Sequence, residues 1–164
     1  MRVAGIIRDS LVNGEGLRDV LFVQGCSHHC KGCHNMSTWS IDGGKVIDTE
    51  ELADMFKDSP NNITISGGEP FEQLFSVIWF MHLIRAATPQ KRFWIYTGYN
   101  YSQIKNKAER FMSEYVDVIV TGPFIERFKN LDCLYRGSSN QSLVDLQKTI
   151  ANKKLTLWEE RHEQ

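Results

Sequence analysis

The run Gln24-Gly25-Cys26-Ser27-His28-His29-Cys30-Lys31-Gly32-Cys33-His34-Asn35 carries three of the four cysteines in the chain. Its C-x3-C-x2-C spacing lets three thiolates converge from one short loop onto a single metal centre. A closed structural zinc site takes four ligands, whereas a site with one coordination position open is built for chemistry. An iron–sulfur cube takes one cysteine per iron. Held by Cys26, Cys30 and Cys33 alone, it would keep one iron free to bind another molecule.

Three plainer readings compete. Free cysteines pack well in cores as small hydrophobes, but this loop is polar, with His28, His29, Lys31 and His34. A disulfide framework suits small secreted chains. Here the opening Met1–Ile7 run is too short, before Arg8 and Asp9, to act as a leader or an anchor. Structural zinc, with Cys133 or a histidine as fourth ligand, stays open on spacing alone.

Composition narrows the class. A chain of 164 residues with 41% hydrophobic and 24% charged side chains is ordinary for one globular domain, here taken as 1–164. There is no internal repeat, low-complexity tract or linker. A formal charge of −1 gives no field to draw nucleic acid or an anionic membrane. No apolar stretch approaches the roughly 20 residues that span a bilayer. The expectation is a cytoplasmic protein that binds neither nucleic acid nor membrane.

The elements that must hold the cysteine loop alternate in type. Asp19–Gln24 reads as a strand that runs directly into it. Asp48 and Glu51 resemble a capping box before a helix with Leu52, Met55 and Phe56 on its apolar face. Asn62–Ser66 reads as a buried strand, Phe71–Ala87 as a helix, Phe93–Thr97 as a strand, Ser102–Tyr115 as a helix and Val116–Val120 as a strand. The pattern predicts α/β architecture with βαβ units around a parallel sheet. A closed eight-fold barrel takes about 250 residues, so an open, partial (β/α) barrel is expected. In such folds functional residues gather at the carboxyl ends of strands. Those ends carry the cysteine loop, Ser66-Gly67-Gly68-Glu69-Pro70, Tyr96-Thr97-Gly98-Tyr99 and Thr121-Gly122-Pro123-Phe124. Adjacent glycines after a strand allow backbone to approach a ligand closely, and inward-turned amides and carbonyls could grip a small zwitterion.

The cysteine motif followed by Ser66-Gly67-Gly68-Glu69-Pro70 resembles the radical S-adenosylmethionine superfamily. Closer still, the chain is similar to the glycyl-radical activating enzymes, and among them to the activating proteins of anaerobic ribonucleoside-triphosphate reductases. Val12–Arg18 resembles the opening segment of that family, and Cys33-His34-Asn35 with Thr38-Trp39 its cluster loop. Trp94–Tyr99 and Val118–Phe124 match its later strands. Tyr135-Arg136-Gly137-Ser138-Ser139-Asn140-Gln141 is the most specific match. The likeness runs from about Asp9 to Gln147. Two departures stand out: Glu15 occupies a position where proline is usual, and Cys133 matches no family position.

The resemblance implies a radical S-adenosylmethionine fold and one [4Fe–4S] cluster with Cys26, Cys30 and Cys33 as its ligands. Gly32, Cys33 and His34 would line S-adenosylmethionine beside it, while Gly67 and Gly68, buttressed by Glu69, would hold the methionine end. It also implies the chemistry. One electron, from a donor such as a flavodoxin, cleaves S-adenosylmethionine to methionine and a 5′-deoxyadenosyl radical. That radical takes hydrogen from a glycine α-carbon in the large subunit of the reductase. No protein acid or base is needed, so no catalytic side chain is named. Another glycyl-radical enzyme or a small molecule as target, and a non-enzymatic zinc module, are the alternatives.

Overall fold

The computed structural model describes residues 1–159; residues 160–164 of the expected domain lie outside the described residues. In chain order the elements are β1 (Arg2–Ser10), β2 (Arg18–Val23), β3 (Lys45–Val46), α1 (Thr49–Lys57), β4 (Asn62–Gly67), α2 (Leu74–Ala87), β5 (Phe93–Tyr96), α3 (Tyr101–Phe111), β6 (Val116–Thr121), β7 (Ser142–Asp145) and α4 (Leu146–Asn152). They form one seven-stranded sheet in the order β3-β1-β2-β4-β5-β6-β7. No helix among the described residues is long and apolar enough to cross a membrane.

The middle of the sheet is the part that the sequence pattern predicts. β2, β4, β5 and β6 run parallel, and their apolar runs are continuous because both faces are covered. The expectation of a parallel sheet is corrected at both flanks, where β1 pairs antiparallel with β2 and β3, and β7 antiparallel with β6. β1 carries register shifts between Val3 and Gly5 and again between Ile7 and Ser10. Those irregularities break the two-residue period that would mark a strand. β3 has only two residues, β7 only two apolar ones, and α4 barely two turns, too little to mark an element.

Helix boundaries follow their caps. Asp48 accepts hydrogen bonds from the amides of Glu50 and Glu51 and starts α1, while the reciprocal capping box forms at Asn100 and Gln103 ahead of α3. The expected helix from Phe71 begins instead as a 3-10 turn, Pro70–Gln73, because the Glu69 carboxylate accepts from the Phe71 amide. α3 ends at Phe111 rather than Tyr115.

All four helices contribute to one core. Leu52 and Phe56 of α1, Val77, Phe80, Met81 and Ile84 of α2, Ile104 and Ala108 of α3, and Leu146 of α4 pack on Leu21, Ile63, Ile65, Phe93 and Ile95 of the sheet. Alternation along β5 sends Trp94 and Tyr96 to the opposite face, where they meet Val118, Val120, Leu143, Tyr135 and Trp158. Near the amino ends of β2 and β4, on that second face, lies the buried Arg18. It donates to Thr64 Oγ1 (2.6 Å) and to the carbonyls of Ile63 (2.7 Å) and Glu15 (3.1 Å), and its guanidinium lies 5.3 Å from the Trp94 ring centroid. Burial lowers its pKa to about 10. These bonds close the floor of this face and fix the turn that contains Glu15.

Candidate cofactor site

At the carboxyl ends of the parallel strands a cavity of about 640 Å³ opens on the face away from the core helices. Cys26, Cys30 and Cys33 line it, as do His28, His34, Ser66, Gly67 and Gly68. All four cysteines are free thiols. The cysteine loop is anchored at its base by Gly25 N donating to Thr38 O (2.8 Å) and Cys26 N to Trp39 O (3.1 Å). It passes through left-handed backbone at Gly25, His29 and Gly32. These turns keep the three thiols on one side. Burial pushes the Cys26 thiol up to about 11 and raises Cys30 as well, so without metal both keep their protons at neutral pH.

The Gly67-Gly68 turn meets that loop directly. Gly68 N donates to Val23 O (2.7 Å) and Glu69 N to Gly25 O (2.7 Å). Gly67 has φ +98°, and a Cβ there would lie 2.7 Å from the Val23 carbonyl oxygen; one on Gly68 would collide with the carbonyl of Gly25. The glycines are therefore required by the protein as well as open to a ligand: the turn and the residue before Cys26 are in backbone contact.

Glu69 lies beneath both, with no exposed surface. Its carboxylate accepts from Phe71 N (3.0 Å), Gly98 N (2.9 Å) and Thr97 Oγ1 (2.9 Å), and is 2.9 Å from His28 Nε2. That hydrogen bond, partly opposed by burial, raises the pKa of His28. So many partners leave the carboxylate little capacity for a ligand. It joins the cysteine loop, the β4 turn and the β5 turn.

Of the residues expected to bind a cofactor, Cys33, His34, Gly67 and Gly68 line the cavity. Gly32 stands outside the lining, and a Cβ on it would come within 3.0 Å of Glu126 Oε1. Cys133 is half-buried and lines the same cavity, together with Leu131, Leu134 and Arg136. Neither the link from His28 to Glu69 nor this far wall was foreseen from sequence. The histidine could have been singled out only by knowing that a buried acid, 41 positions on, faces it.

The donor set fits an iron–sulfur cluster. Three free thiols from one loop line one cavity, and a cube takes one thiolate on each of three irons.

Comparison with known proteins agrees. Residues 12–144 match the family described as a 4Fe-4S single cluster domain. The chain is 35% identical over 139 residues to the anaerobic ribonucleoside-triphosphate reductase-activating protein of Haemophilus influenzae, covering 80% of this chain and 89% of the relative. The Escherichia coli protein of the same name is 35% identical over 140 residues, with 80% and 90% covered. That of Enterobacteria phage T4 is 38% identical over 143 residues, with 80% and 86% covered. With a family match over most of its length and identities above 30% to relatives covered almost end to end, the chain belongs to the 4Fe-4S single cluster domain family and, within it, to the anaerobic ribonucleoside-triphosphate reductase-activating proteins.

Proposed function

We propose that this protein is a radical S-adenosylmethionine activase that installs a glycyl radical on an anaerobic ribonucleoside-triphosphate reductase. The observation that carries the reading is the backbone contact between the cysteine loop and the Gly67-Gly68 turn at the head of one cavity. Relatives of more than 30% identity bear the corresponding name.

In this reading the parallel strands are the wall of an open, partial barrel. Cys26, Cys30 and Cys33 hold one [4Fe–4S] cluster, and their need for free thiols suits a reducing, cytoplasmic setting. S-adenosylmethionine sits beside them. When bound, this pair supplies reductive cleavage with one electron from a donor such as a flavodoxin, and removal of a hydrogen atom from a glycine α-carbon.

The chain's own residues do the positioning. Gly67 and Gly68 offer backbone with no side chain in the way, and Glu69 fixes that backbone through Phe71, Thr97 and Gly98. His34, packed 5.0 Å from Phe124, lines the cavity beside Cys33. Gly32 acts through the shape of the loop. Phe22, Tyr96 and Phe124 give the wall its apolar surface. No side chain moves a proton.

The test is functional transfer. Reconstituted protein, a reductant and S-adenosylmethionine are incubated with the cognate inactive reductase under strict anoxia. Deoxyribonucleotide formation that depends on all three components supports the reading. A reductase that stays inactive while another glycyl-radical enzyme is switched on would change the target.

A further inference from the structure

Tyr135–Gln141 is the motif most specific to this chain's family likeness, yet the cofactor reading gives it no task. The structure makes it the wall opposite the glycine turn. Gln141 folds back so that its Oε1 accepts from the amides of Gly137 (2.9 Å) and Ser138 (3.1 Å), while its Nε2 donates to Gly122 O (3.1 Å). Tyr135 has φ +56°, a conformation that costs a non-glycine residue about 1 kcal/mol or more. It is pinned there by Tyr96, whose hydroxyl donates to the Tyr135 carbonyl (2.6 Å). A loop held this firmly presents its side chains in fixed positions.

Arg136 is the side chain so presented. Its Nη1 donates to Gln141 O (2.9 Å), and the residue lines the cavity. Its Nε is buried with no hydrogen-bond partner. An unmet buried donor costs about 1–3 kcal/mol, more on a charged group, and an acceptor oxygen in the cavity would remove that cost.

We propose that Arg136 is a substrate-side residue whose guanidinium binds a main-chain carbonyl of the glycine-bearing segment of the partner. The inference rests on the function proposed above. The other oxygen available, the carboxylate of the cofactor's methionine, belongs at the β4 turn. Arg136 lies instead in the loop that leads into β7, directly after Tyr135, which packs on Trp94 and Tyr96 of β5. The cavity lining here has exposed apolar side chains: Leu131 is 86%, Leu134 49% and Val12 75% exposed. An extended polypeptide brings carbonyls for the arginine and apolar side chains for that lining, whereas the cofactor's carboxylate brings only the former.

The test compares Arg136→Ala and Arg136→Lys with the wild type as reconstituted holoprotein, reading two affinities: for the purified reductase, and for S-adenosylmethionine without reductase. Arg136→Lys keeps a cation on a flexible stem but lacks Nε–H, which guards against loss of the loop itself. The expected result is a fall in reductase affinity of about tenfold or more in both variants, with affinity for S-adenosylmethionine falling less than about threefold. Equal losses of both affinities, or reductase binding like that of the wild type, would overturn the assignment. A wild-type protein that binds no reductase at all would overturn the functional reading and this inference with it.

Discussion

His28, between two of the cysteines, places its Nε2 2.9 Å from the carboxylate of Glu69 in the β4 turn. One hydrogen bond thus ties the proposed cluster loop to the proposed cofactor turn, and the acid at its centre also accepts from two backbone amides. Exchanging Glu69 for glutamine sets an NH2 group against one of those amides. Glu69→Gln should lower stability by about 2 kcal/mol, or about 4–8 °C in the melting midpoint for a domain of this size. Anoxic thermal unfolding of metal-free protein measures it; an unchanged midpoint would show that the carboxylate is not the junction described.

The glycine turn should fail together with the cluster loop. A Cβ at Gly68 strikes the Gly25 carbonyl immediately before Cys26. Gly68→Ala should therefore lose bound iron and affinity for S-adenosylmethionine in parallel. Iron and sulfide analysis beside a binding isotherm decides this, and full iron content with weakened binding would mean the glycine serves the ligand alone.

Cysteine replacement should divide three against one. Single Cys26→Ala, Cys30→Ala and Cys33→Ala variants should each fail to retain the reconstituted cluster. Cys133→Ala should keep wild-type iron content, although Cys133 borders the same cavity. Colorimetric iron counting under anoxia checks this. Dependence on Cys133 with tolerance at Cys26 would reassign the ligands.

Arg18 should matter for stability rather than for chemistry. Arg18→Met leaves Thr64 and the carbonyls of Ile63 and Glu15 without their donor, a loss of about 3 kcal/mol. A denaturation midpoint measured on metal-free protein reports it, and a change under about 1 kcal/mol would mean those groups find other partners.

Acid stability should depend on Asp19. Its side chain is fully buried against Arg8, and Asn61 donates to it (2.8 Å). Burial alone would raise its pKa, but hydrogen bonds from Asn61, Ser59 and Arg8 outweigh that and lower it. With the folded pKa depressed, the unfolded chain binds the proton first. The stabilisation is complete above the unfolded value of about 3.9 and drains away as pH falls from there through the folded pKa. Asp19→Asn should flatten this acid limb and lower stability at pH 7. Urea midpoints measured from pH 2 to 7 would show it, and equal slopes in both proteins would contradict it.

The site was legible in sequence where it depends on short spacing. Cys26, Cys30 and Cys33 lie within one loop, Gly67 and Gly68 are neighbours, and both follow strands buried on two faces, whose apolar runs are unbroken. β1 and β7 were not legible, the first because its register shifts hide the alternation and the second because Ser142-Leu143-Val144-Asp145 holds only two apolar residues, unlike the equally short but wholly apolar β5. The partners of Arg18, Glu69 and Asp19 lie far along the chain, and no local pattern announces a hydrogen bond from Asn61 to Asp19 across 42 positions. The motif around Arg136 was visible as a motif, but its direction toward the cavity emerges only once Gln141 is seen to fold it inward.

Installation of a glycyl radical is read most directly by electron paramagnetic resonance of the reductase after activation. Reduced, reconstituted protein and S-adenosylmethionine are mixed under strict anoxia with reductase grown on unlabelled or α-deuterated glycine. The expected result is a protein radical whose doublet, from the one remaining α-hydrogen, collapses toward a singlet in the labelled reductase. It should be absent with Cys30→Ala protein. A radical indifferent to the label, or none while S-adenosylmethionine is cleaved, would contradict glycyl-radical installation on this partner.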